Sequence, residues 1–190
     1  MTKVIGKRAS ALPPGERRSA IIAATLPLLL ENAEMVTTRQ IAEAAGIAEG
    51  TIFRVFADKE AVIAATIDAA VDPEPMEAAL RELDATAPLE HVLTEAIAVL
   101  QHRTIEVWRL MSSVGPRFHE RVRRPMTDSP ALLAILEAHR DEISIDPTAA
   151  GRYLRALALS TSHPMMTAKP MAPRKIAALL LHGIGRSPAC

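Results

Sequence analysis

Residues 37–56 limit what this 190-residue chain can fold into more than any other stretch. Thr37 followed by Gln40 is a capping-box pair, in which each side chain covers a free amide at a helix start. The helix that begins there is expected to end at Gly46, because glycine tolerates the left-handed turn that closes a helix. A second, short helix is expected over 48–56. Ile41, Ala45, Ile47 and Ile52 take the inward positions, and Ala42 is small where the two helices cross. Glu49, Thr51 and Arg54 are left to face outward. An apolar back and a polar front across a tight turn are what a helix lying in a DNA major groove requires. The same spacing also fits an ordinary helical hairpin inside an all-α core.

The rest of the chain reads as more helices. Aromatics make up only 3% of the residues while Ala and Leu are abundant, a balance that favours helices over sheets. A helix over 16–32 carries Ile22, Leu26, Leu29 and Leu30 on one stripe, and Pro27 inside it predicts a kink or a restart. Asp58 can cap a helix over 59–71, which Asp72-Pro73 stops. Further helices are expected over 75–83, 89–113, 130–142, 147–162 and 173–184. The 89–113 stripe is Val92, Ala96, Leu100, Val107 and Met111, and Gly115-Pro116 breaks it. There is no internal repeat and no strand-like alternation. The fold class is therefore all-α, with a flexible basic arm over 1–15, a helix-turn-helix domain over 16–60 and a helical body over 61–190.

Lys and Arg together number 22 and so do Asp and Glu, so the net charge is zero, which is unusual for a nucleic-acid binder. The positive charge is unevenly placed: Lys3, Lys7, Arg8, Arg17 and Arg18 face a single Glu16 in the first eighteen residues. That arm either lies along DNA or is a solvated tail. The single cysteine, Cys190, cannot form an internal disulfide, which suits a reducing cytoplasm. No apolar run approaches the roughly 18 residues of a membrane span, and the chain start lacks a signal-peptide pattern. The six histidines are scattered without metal-ligand spacing. Ser160, His163 and Asp146 form no nucleophile arrangement, and no glycine loop suits a phosphate. An enzyme, a cofactor and a metal site are therefore not expected.

The stretch 38–60 resembles the N-terminal domain of the TetR (tetracycline-repressor) family. The matching residues are Ile41-Ala42, Ala45-Gly46-Ile47, Gly50-Thr51-Ile52-Phe53, Phe56 and Lys59-Glu60. The resemblance implies a three-helix DNA-binding head on a helical ligand-binding and dimerisation body. It implies a repressor that binds a palindromic double-stranded DNA operator as a homodimer and is released by a small apolar ligand, the effector. Carried over, Thr38 and Lys59 are phosphate clamps and Arg39 touches a base or a phosphate. Thr51 and Arg54 contact base edges or backbone, Gly50 lets the recognition helix approach the backbone, and Gln40, Glu49 and Phe53 complete the DNA-facing set. Family members often carry serine where Ala48 stands, tyrosine where Phe53 stands and histidine where Val55 stands. These departures imply fewer phosphate contacts from the head.

The resemblance fades after about Val71. A ligand cavity among the middle helices is expected to draw on Trp108, Met111, Phe118, Met126, Leu157, His163, Met165 and Met166, residues that serve equally well as plain core. The resemblance places a four-helix dimer bundle on the last two helices, with Tyr153, Leu154, Leu157, Ala158, Ile176, Leu179, Leu180 and Gly183 on its face. Two other readings stay open from sequence. One is a ligand-independent regulator or an activator. The other is a helical small-molecule-binding module that no longer reads DNA.

Overall fold

The computed structural model describes residues 13–122 and 127–183, apart from the side chains of Asn32, Glu34, Arg117 and Val122. The expectations placed on Lys3, Lys7, Arg8, Met126, Ile184 and Cys190 lie outside the described residues. Every regular element among the described residues is helical. They group into two compact units. The head comprises the described residues to Ala70 together with Ser113–Phe118, and the body comprises Val71–Ser112 and the described residues from His119 onward.

In the head, α1 spans Pro14–Asn32. Pro14 sits in its first turn, where a missing N–H costs nothing, so Pro14 and Gly15 belong to the helix rather than to the arm. Of the expected kink or restart, the restart does not occur: α1 continues through Pro27. Pro27 and Ala23, whose carbonyl loses its partner, are both exposed, so water can serve that carbonyl. The buried stripe is Ile21, Thr25, Leu29 and Ala33: Leu29 is buried as predicted, while Ile21 and Thr25 take the places predicted for Ile22 and Leu26. Ile22 and Leu26 are half-buried and Leu30 is exposed. The register shifts because the Thr25 hydroxyl donates to the Ile21 carbonyl at 2.7 Å, which lets a polar residue fill a core position.

Three more helices complete the head: α2 (Thr38–Ala44), α3 (Glu49–Ile52) and α4 (Lys59–Ala70). α1 packs on α4 and α2, and α2 packs on α3. Ile41, Ile52, Ile63 and Ile67 are fully buried in this unit, each worth about 1.5–3 kcal/mol relative to exposure. Asp58 starts α4 as expected, its carboxylate accepting from the Ala61 amide at 2.7 Å.

The body holds α5 (Glu74–Arg81), α6 (Leu89–Ser113), α7 (His119–Val122), α8 (Pro130–Ala138), α9 (Pro147–Ser160) and α10 (Pro173–His182). Its core gathers Leu80, Val92, Leu93, Ala96, Ile97, Leu100, Leu132, Leu136, Leu154 and Ile176. On α6, Val92, Ala96 and Leu100 are buried as predicted, but Leu110 is buried where Val107 and Met111 are only half-buried. The predicted 130–142 helix breaks at His139, whose φ of −110° leaves the helical region, and a separate turn of 3₁₀ helix follows. α10 ends at Gly183, which takes a φ of 68°. Two acceptors serve the buried start of α8. The Ser129 hydroxyl accepts from the Leu132 amide at 3.2 Å, and the Glu77 carboxylate accepts from the Ala131 amide at 3.0 Å.

Candidate nucleic-acid interface and body cavity

The turn between α2 and α3 is built by local hydrogen bonds. At the start of α2, Gln40 N donates to Thr37 Oγ1 at 3.2 Å and Thr37 N donates to Gln40 Oε1 at 2.9 Å, closing the predicted capping box. At its end, Gly46 N donates to Glu43 O at 3.1 Å and Ile47 N donates to Ala42 O at 3.0 Å. This is a Schellman closure, and it needs the left-handed φ of 65° that Gly46 adopts. Ile41, Ala42 and Ile52 are buried beneath the turn, while Ala45 and Ile47 are half-buried.

α3 is shorter than the predicted 48–56. Its N-cap is Ala48, which has no side chain to hold the first amides. Beyond Ile52 the bonds tighten to the i→i+3 kind, with Arg54 N to Thr51 O at 3.2 Å and Val55 N to Ile52 O at 2.9 Å. Glu49, Gly50, Phe53 and Arg54 are exposed and Thr51 is half-buried. Arg39 and Gln40 are exposed on α2, and Thr38 is half-buried there. Two of these side chains already have protein partners. Thr38 Oγ1 donates to Glu49 Oε1 at 2.5 Å, tying the start of α2 to the start of α3. Lys59 Nζ donates to Val36 O at 3.1 Å, which fixes the ammonium at the N-terminus of α4. The Arg18 guanidinium lies 4.4 Å from the centre of the Phe56 ring. Sequence reasoning counted Arg18 only among the basic residues, because nothing local links it to Phe56.

The sequence of residues 21–66 matches the profile of the bacterial regulatory proteins of the tetR family. The match covers the head alone, from Ile21 to Thr66. No curated protein matches the chain. Its fold is also that of solved TetR-family structures. It aligns with the TetR-like transcriptional regulator LfrR from Mycobacterium smegmatis, solved with proflavine, at 20% identity and a TM-score of 0.54, over 90% of this chain and 99% of that one. The regulator FadR from Bacillus subtilis, solved with stearoyl-CoA, aligns at 20% identity and a TM-score of 0.54, over 88% and 99%. A tetR-family transcriptional regulator from Streptomyces coelicolor aligns at 18% and 0.55, over 90% and 79%. Residues 21–66 thus carry a tetR-type helix-turn-helix domain, and the chain has the helical fold of those solved regulators.

The residues named from sequence for a ligand cavity are dispersed. Trp108 and His163 do meet, with ring centres 4.2 Å apart and planes tilted by 58°. Phe118 is buried but belongs to the head unit. Met165 and Met166 are exposed on the turn after α9. Met111 is half-buried, and Leu157 packs against the body core. A cavity of about 140 Å³ lies elsewhere, lined by Leu93, Leu136, Ile143, Leu154 and Leu181, with Glu142, Ser144 and Tyr153 among its polar members. Sequence reading missed it because 142–145 was expected to be the end of a helix and the loop after it.

The residues named for a dimer face also divide. Leu154, Ala158 and Ile176 are buried in the body's own core, and Leu157 and Leu180 pack against it. Their stripe is apolar because the chain itself covers it, so Leu154, Ala158 and Ile176 are not available to a second copy. Tyr153, at 60% exposure, and Gly183 are open, and Leu179 is half-buried. No helix among the described residues is long and apolar enough to cross a membrane, and no cluster of potential metal ligands occurs among them.

Proposed function

We propose that this regulator is a repressor that binds a palindromic operator as a homodimer and leaves it when a small molecule occupies the body. The carrying observation is the head turn, closed by its capping box and Schellman motif, with Arg54 exposed and Thr51 half-buried after it. Arg54 supplies a fork that pairs with guanine, and Thr51 contacts a base edge or a phosphate. Arg39 and the Lys59 ammonium hold phosphates beside them, Thr38 and Gln40 pack along the same backbone, and Gly50 allows close approach. Glu49 and Phe53 complete the surface. Two such heads must reach successive major grooves, about 34 Å apart. The dimer face is the exposed side of α9, carrying Tyr153, Ala156 and Leu159, together with Leu179 and Gly183.

The body cavity supports the effector part of this reading. LfrR was solved with proflavine and FadR with stearoyl-CoA. A cavity of about 140 Å³ suits an effector smaller than either. Release follows if the effector binds more tightly to a body conformation whose head spacing no longer fits two grooves. The test is fluorescence anisotropy with the DNA upstream of the coding region. The wild-type chain binds it in preference to unrelated DNA, with affinity falling steeply as salt rises. Thr51→Ala combined with Arg54→Ala abolishes that preference while circular dichroism retains the helical signal. Equal binding to unrelated DNA by the wild type would refute the reading.

A further inference from the structure

We propose that the body cavity takes a small organic ammonium compound carrying a single ring or a compact branched hydrocarbon group. This rests on the reading of the body as the effector-binding part and names the chemistry it selects.

Size sets the first limit. The cavity measures about 140 Å³. Apolar cavities near 150 Å³ hold a molecule the size of benzene, whereas drug-sized ligands need roughly 300–1,000 Å³. One ring fits, and a fused ring system or a long acyl chain does not. The lining sets the second limit. Its wall is made by leucines and isoleucines of α6, α8, α9, α10 and the 142–145 loop, so the bulk of the ligand is apolar.

Charge sets the third limit. Among the described residues Glu142 is the only charged side chain in the lining, and no lysine, arginine or histidine joins it there. A carboxylate-bearing ligand would meet a like charge with no compensating cation, while an ammonium group would gain a charge-assisted hydrogen bond. Glu142 is also held in position. His139 Nδ1 lies 2.6 Å from Glu142 Oε1, and the imidazole is only 6% exposed. Its Nε2 is buried without a hydrogen-bond partner among the described residues, so Glu142 is the one polar partner this ring has there. Anchoring through Oε1 leaves Oε2 to accept from a second donor. The Glu142 side chain is 57% exposed, which places the charged end of the ligand toward water and limits the gain from the ion pair. Tyr153 belongs both to this lining and to the exposed side of α9, so an occupied cavity alters the surface that the dimer reading assigns to the second copy.

The test is isothermal titration of the full chain at neutral pH with three ring compounds of nearly equal size: benzylamine, benzyl alcohol and benzoate. Benzylamine is expected to bind about fivefold more tightly than benzyl alcohol, the modest factor that a half-exposed ion pair allows, and benzoate more weakly than both. Glu142→Gln keeps an oxygen for His139 and is expected to bring benzylamine level with benzyl alcohol. Ala150→Phe fills the cavity and is expected to remove binding of both, with circular dichroism checking the fold. If that variant does not fold, the Glu142→Gln comparison decides. The proposal is overturned if no probe binds at millimolar concentration, if benzoate matches benzylamine, or if the amine preference survives Glu142→Gln. Operator anisotropy run in parallel separates the two readings. Intact operator binding with no probe bound sinks the cavity assignment alone. Bound benzylamine without any change at the operator sinks effector release and leaves the cavity assignment standing.

Discussion

Gly50 separates folding from DNA binding at the scale of one residue. A methyl group built there meets nothing within 4 Å, so the protein itself has room for it. Gly50→Ala is therefore expected to stabilise the head by up to about 1 kcal/mol through helix propensity. The same methyl faces the DNA in the proposed complex, and operator affinity is expected to fall about tenfold or more. Thermal unfolding and anisotropy on one sample check both signs. Ala48 gives a companion prediction. As N-cap of α3 it has extended dihedrals but no acceptor, so Ala48→Ser is expected to add about 1 kcal/mol in the same unfolding measurement. Gly46 goes the other way. Its φ of 65° makes Gly46→Ala a loss of about 1–2 kcal/mol. Gly46 and Ala48 were legible in the sequence, because caps and helix ends are decided within four or five residues of themselves.

Contacts between elements were much less legible. The capping box and the glycine turn are local, but Glu77 reaches the Ala131 amide across 54 positions, and no periodicity announces that bond. It serves a buried helix start, so Glu77→Leu is expected to cost about 1–3 kcal/mol by leaving that N–H without an acceptor, while Glu77→Gln costs less. Chemical denaturation of the two variants checks the order. The segment before α8 is also tied to α9. Arg152 grips Asp128 with both forks, at 3.0 and 2.8 Å, and Arg155 donates to the Thr127 carbonyl. The hydrogen bond from Arg152 holds the Asp128 carboxyl below its ordinary value. A lowered carboxylate stabilises fully above the unfolded value and loses that effect as pH falls through the folded one. The difference in melting temperature between the wild type and Arg152→Ala is thus expected to shrink as pH drops below about 4. A gap that widens on acidification would contradict this. The division of the residues named for a dimer face has the same origin as the missed network. Apolar spacing marks Leu154 and Ile176 as needing cover, but it does not say whether the chain or a second copy provides it.

For the whole molecule, the head and the body differ in how much their sequences disclose. The head uses a short motif whose turn chemistry permits few alternatives, and residues 21–66 match the tetR-family profile directly. The body uses generic leucine-rich packing, so its helices were legible and its cavity was not. The neutral net charge has a consequence at this scale. With 22 basic and 22 acidic residues there is little general attraction for DNA, so binding must come from the arrangement of a few cations on the head. The most direct measurement is the affinity of the full chain for its own upstream DNA and for shuffled DNA of the same length, at two salt concentrations, with and without Thr51→Ala and Arg54→Ala. Sequence-preferring, salt-sensitive binding that disappears in the double variant, with its helical content unchanged, is the predicted result. Equal affinity for both DNAs, or a double variant that binds as well as the wild type, would contradict it.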